Sequence, residues 1–118
     1  MAYSQILLTN YFYGSPMTIS DLFCNPKENT KVTVNYSANE LKLSHAVIAE
    51  DVTALKVDIM FQMTKKGDAG ECYISRLIVT NTTTYQSETW TCYSPYSDAG
   101  NYAEILGGLA YLLPLMYN

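Results

Sequence analysis

The sequence predicts an α+β domain, an antiparallel sheet of about six strands with a C-terminal helix packed on one face. Three observations carry this reading. Residues 55–64 alternate Leu55, Val57, Ile59, Phe61 and Met63 with Lys56, Asp58, Met60, Gln62 and Thr64, the period of two that marks a half-buried strand. Turn-forming stretches at 65–70 and 81–83 return the chain into further β-rich runs, with no spacing for a helical crossover. Near the C-terminus Tyr102, Ile105, Leu106, Leu109 and Leu113 recur at helical spacing.

Taken in order, residues 4–13 contain the apolar run Ile6-Leu7-Leu8 and read as a strand inside the sheet or at a dimer seam, bounded by Gly14, Ser15 and Pro16. Ser15-Pro16-Met17-Thr18 opens a short helical turn through Ile19, Leu22 and Phe23, which Asn25-Pro26 ends because proline disfavours helix at the residue before it. Residues 31–37 place Val32, Val34 and Tyr36 on one face, and residues 41–49 do the same with Leu41, Leu43, His45 and Val47. The connection Ala38-Asn39-Glu40 makes the two a hairpin. A polar corner at 50–54 leads into a meander of strands 55–64, 71–80 and 84–93. A short loop at 81–83 sets Thr80 opposite Thr84, and so Arg76 opposite Glu88, Ile74 opposite Trp90 and Cys72 opposite Cys92.

The helix spans residues 101–113. Asn101 and Glu104 have the arrangement of a capping box, Pro95 and Gly100 mark the preceding loop, and Pro114 is a stop signal. Ala103, Gly107 and Ala110 form a stripe of small residues where another backbone can approach closely, either a second helix or the chain's own sheet. Leu112, Leu113, Leu115 and Met116 add more apolar surface than one face of a small sheet covers, which predicts a homodimer. The apolar run is shorter than the roughly 20 residues a helix needs to cross a bilayer, so no membrane partner is expected.

Residues 1–118 are read as a single domain. A net charge of −4, with one arginine and six lysines scattered along the chain, supplies no basic stripe for a phosphate backbone, and direct nucleic-acid binding is not expected. The eleven acidic residues are equally dispersed, which suits a solvated surface better than a carboxylate-coated mimic of DNA. Cys24, Cys72 and Cys92 lack zinc-ligand spacing, so no metal and no cofactor is assigned. With no secretory or transmembrane segment evident, the expectation is a cytoplasmic protein with reduced thiols, and the glycosylation patterns at Asn35 and Asn81 carry little weight.

His45 is the only histidine, in register with the covered positions of its strand. It is the candidate general acid or base, with Ser44, Glu50 or Asp51 as neighbours. A buried, hydrogen-bonded core histidine satisfies the same pattern, and a lone histidine is not a catalytic constellation. No nucleophile elbow, phosphate loop or zinc-protease motif accompanies it, so no catalytic residue is assigned. Eleven tyrosines against three phenylalanines is the most unusual compositional feature. Tyr11, Tyr13, Tyr93, Tyr96 and Tyr117 fall near loops or element ends, where tyrosine supplies contact area at low entropic cost and tolerates water. High strand propensity also explains tyrosine in half-exposed sheet positions.

The run Ile6-Leu7-Leu8-Thr9-Asn10-Tyr11-Phe12, with the single His45, resembles the opening and lone histidine of small viral ring nucleases, a resemblance that implies cleavage of cyclic oligoadenylate. The chain lacks the basic pocket such an anion requires. The function read from the residues is a non-catalytic protein-binding domain, an accessory or inhibitor protein of the kind phages and viruses encode, acting on a host protein through a Tyr-rich surface. The alternatives are a small nuclease or hydrolase built on His45, and a self-assembling structural subunit.

Overall fold

The computed structural model describes residues 11–15, 17–22, 24–37, 40–48, 54–63 and 72–118. A single 3-10 turn, Ser20–Leu22, precedes β1 (Thr30–Ser37), β2 (Glu40–Ile48), β3 (Ala54–Met63), β4 (Cys72–Asn81), β5 (Ser87–Thr91) and α1 (Ala99–Met116). The five strands lie in chain order, every neighbouring pair antiparallel. This is the predicted α+β architecture, with five strands among the described residues where about six are expected. Most of the first candidate strand, residues 4–10, lies outside the described residues. Its end makes only isolated bridges, Tyr11 to Thr18 and Phe12 to Cys72.

Alternation sets the covered face. Leu41, Leu43, His45 and Val47 of β2 are buried, as are Val57, Ile59 and Phe61 of β3, and the cross-strand pairs Leu43↔Ile59 and His45↔Val57 place them side by side. In β4 the parity changes once. Met60 faces Arg76 and Phe61 faces Ile74, so Ser75 is the extra residue of a bulge, and Ile74 and Leu77 are both buried despite their odd separation.

The β4–β5 register departs from the predicted one by three residues. Thr80 pairs with Ser87, Val79 with Glu88, Leu77 with Trp90 and Arg76 with Thr91. The cause is the loop. Asn81 Oδ1 accepts the backbone N–H groups of Thr83 (2.9 Å) and Thr84 (3.1 Å), and the Tyr85 N–H donates to the Asn81 carbonyl. Tyr85 then takes φ 61°. The side chain thereby folds a longer loop, through residue 86, than strand propensity alone predicts. Cys92 consequently donates its N–H to the Ser75 carbonyl, and Cys72 does not face it across the ladder. All three cysteines are free thiols, Cys24 exposed and the other two buried.

Helix α1 begins two residues before the predicted start. Asp98 is the N-cap residue, and Asn101 donates its side-chain amide to Asp98 Oδ1 at 2.8 Å instead of capping the helix itself. Pro114 lies inside the last turn, and the helix continues to Met116. The ring deprives the Ala110 carbonyl of its donor, but Ala110 is exposed, so water can replace the bond. Tyr102, Ile105, Leu109, Leu112 and Met116 form the buried stripe of α1, and the helix contacts β5, β4 and β2. Close approach occurs at Gly108, where a Cβ would sit 3.4 Å from Leu77 Cδ2. Gly107 meets nothing within 4 Å, and Ala103, Gly107 and Ala110 are all exposed. The small-residue stripe therefore does not seat the helix on its own sheet.

Candidate functional site

The tyrosines proposed for recognition divide into two groups. The first lies at the N-terminal end of α1 and is built outward from Tyr102, which is buried in the core. Its hydroxyl donates to the Tyr13 carbonyl and accepts the Ile74 N–H at 3.5 Å, and burial raises its pKa above the usual phenol value. The Tyr13 ring stands edge-on to Tyr102 (centroids 5.7 Å apart) and to Tyr96 (5.2 Å).

The backbone around these rings is specified locally. Tyr13 donates its N–H to the Cys72 carbonyl at 2.7 Å, and Ser15 closes a turn onto the Phe12 carbonyl. Gly14 follows at φ +83°, where a Cβ would come 2.7 Å from Leu106 Cδ1, so only glycine lets the chain cross α1 here. Tyr96 lies in the turn before α1, whose Asp98 N–H donates to the Ser94 carbonyl while Ser94 Oγ accepts the Tyr96 N–H. Tyr93 is tied through its backbone, its carbonyl accepting the Tyr73 hydroxyl at 2.9 Å. Tyr11, Tyr13, Tyr93 and Tyr96 remain 64%, 39%, 92% and 42% exposed.

Tyr117 is the exception. It follows the other end of α1, and its hydroxyl donates to His45 Nε2 at 2.6 Å. The opposite ring nitrogen, Nδ1, lies 3.1 Å from the Val57 carbonyl, which can only accept, so Nδ1 carries the proton and Nε2 is the acceptor. His45 is fully buried, and desolvation lowers its pKa against the opposing pull of the Val57 and Leu22 carbonyls and of Asp58. Ser44, a candidate neighbour, points to the other face and donates to Asp58 Oδ1 at 2.6 Å, while Lys56 Nζ lies 3.9 Å from the same carboxylate. Glu50 and Asp51 lie outside the described residues.

Two further tyrosines, outside the set expected from sequence, are exposed: Tyr85 (86%) and Tyr111 (78%). Tyr85 is signalled by the turn-forming Asn81 before it. Tyr111 carries no signal, because its place opposite the buried stripe emerges only once the helix phase is known. Among the described residues no three His, Cys, Asp or Glu side chains gather as metal ligands, and no helix is long and apolar enough to cross a membrane. No family model, curated protein or solved structure matches the chain. Most of the stretch that resembles the viral ring nucleases, residues 6–10, lies outside the described residues.

Proposed function

We propose that the chain is a non-catalytic protein-binding domain that engages a partner protein through Tyr11, Tyr13, Tyr93 and Tyr96. The observation that carries this reading is the Tyr102–Tyr13–Tyr96 arrangement, in which buried Tyr102 holds half-exposed Tyr13 edge-on and Tyr13 in turn meets half-exposed Tyr96 edge-on. Rings fixed before binding lose little entropy when a partner covers them, and their hydroxyls find hydrogen bonds at a wet rim. An accessory or inhibitory role of the viral type rests on the poverty of catalytic motifs. The hydrolase alternative has less support, since both nitrogens of His45 are engaged and its ring has no exposed edge. Affinity capture from the native host cell tests the reading. A partner retained by the wild type should be lost with Tyr11→Ala/Tyr93→Ala, whose exposed side chains leave the core intact, and equal retention by both proteins overturns it.

A second reading, a homodimer through α1, is favoured by the outer face of the helix. Ala103, Gly107, Ala110, Tyr111 and Leu115 are exposed there, and Glu104 is the only charged residue of α1. Because Gly107 faces open space, Gly107→Leu leaves the monomer fold undisturbed and blocks a close helix contact. Light scattering should show a dimer for the wild type and a monomer for the variant; a wild-type monomer at micromolar concentration excludes the dimer.

A further inference from the structure

We propose that the groove between α1 and the β4–β5 edge is a binding site for a small amphiphilic organic cation, an ammonium group carried on an apolar body. The groove holds about 770 Å³ and is lined by Leu55, Leu77, Val79, Trp90, Tyr111 and Leu112. That volume falls within the roughly 300–1,000 Å³ of small-molecule sites. Gly108 borders it from the helix, and the missing side chain there leaves the space open.

The charge at the groove selects the ligand. Glu88 lines it together with the apolar residues, paired across the ladder with Val79 and on the same face of β5 as Trp90. This is the face toward the helix, where strand alternation calls for an apolar side chain. Among the described residues no lysine or arginine lines the groove and Glu88 has no ion-pair partner. A carboxylate beside an indole and a phenol attracts a cation twice, by charge and by the negative faces of the rings, and repels an anion by the same field. Asn81, Gln86 and Ser87 line the loop end of the groove without charge, so among the described residues its apolar walls and single carboxylate fit an apolar body and an ammonium head.

Trp90 is the only tryptophan, so its fluorescence reports occupancy directly. Phenylbutylammonium should shift its emission saturably, while phenylbutyrate of the same length binds at least about tenfold more weakly. Glu88→Gln should weaken the ammonium probe about tenfold and leave phenylbutanol unchanged. Glu88 is exposed, so the substitution leaves the core intact, and it leaves Tyr13 and Tyr96 untouched, so this test and that of the tyrosine surface fail independently. Equal binding of ammonium and carboxylate probes overturns the proposal, as does an ammonium affinity unchanged in Glu88→Gln. Silence of Trp90 toward all three probes overturns it too, and so does a response confined to a lysine-rich extended peptide, which would assign the groove to a protein.

Discussion

The Tyr117 hydroxyl donates to His45 Nε2 at 2.6 Å across 72 residues of sequence, and this bond ties the end of α1 to β2 of the sheet. It satisfies the buried ring at its second nitrogen. Tyr117→Phe removes the donor and keeps the ring, so Nε2 becomes a buried acceptor without a partner. The expected loss is about 1–3 kcal/mol of unfolding free energy, with His45→Gln in the same range. Urea denaturation of both variants and of the double variant measures it. Losses that simply add in the double variant would show that the two side chains act separately.

The same ring makes stability depend on pH. Burial holds the His45 pKa below its ordinary 6.5. As pH falls through that value the unfolded chain takes up a proton first, so it binds more protons than the folded chain and stability rises with pH across the interval. The contribution of His45 is complete above about pH 6.5 and declines as pH drops toward the folded value. Comparing urea midpoints of the wild type and His45→Gln between neutral and mildly acidic pH isolates it. A difference between the two that stays constant across the range contradicts this account.

Thiol chemistry distinguishes the three cysteines. Burial pushes the Cys72 thiol up to about 12 and also raises that of Cys92, whereas Cys24 is exposed. A thiol-specific reagent at neutral pH should label Cys24 at once and reach the other two only through unfolding. Mass spectrometry after brief labelling, with and without denaturant, checks this. Rapid native modification of Cys72 is the contrary result.

Backbone conformation sets opposite signs for three substitutions. Gly14→Ala meets both a positive φ and Leu106, and should cost roughly 1–3 kcal/mol. Gly107→Ala in a folded monomer meets nothing, and should raise stability by about 0.5–1 kcal/mol through helix propensity. Tyr85→Gly relieves about 1–2 kcal/mol of left-handed backbone strain at an exposed ring and loses roughly 0.5–1 kcal/mol to the freer unfolded chain, for a net gain of about 0.5 kcal/mol. Thermal melts of the three variants, all in one buffer, give the comparison.

Periodicity was legible in the sequence wherever it records a local choice between core and water. The alternation of Leu41, Leu43, His45 and Val47, that of Val57, Ile59 and Phe61, and the helical spacing of Tyr102, Ile105 and Leu109 each identify an element and its buried face before any partner is known. Tertiary structure decided what those patterns leave open. The β4–β5 register depends on one asparagine side chain competing for backbone N–H groups, and an odd shift of three residues turns Glu88 and Trp90 to the same face as Val79 and Leu77. Pro114 survives within α1 because the carbonyl it leaves unpaired belongs to an exposed residue, and exposure is a property of packing. The tyrosines were visible as a composition, but their division was not. Tyr96 and Tyr102 both meet Tyr13, and Tyr117 meets His45, because the sheet and helix bring together residues far apart in sequence, and no local pattern encodes a contact at that separation.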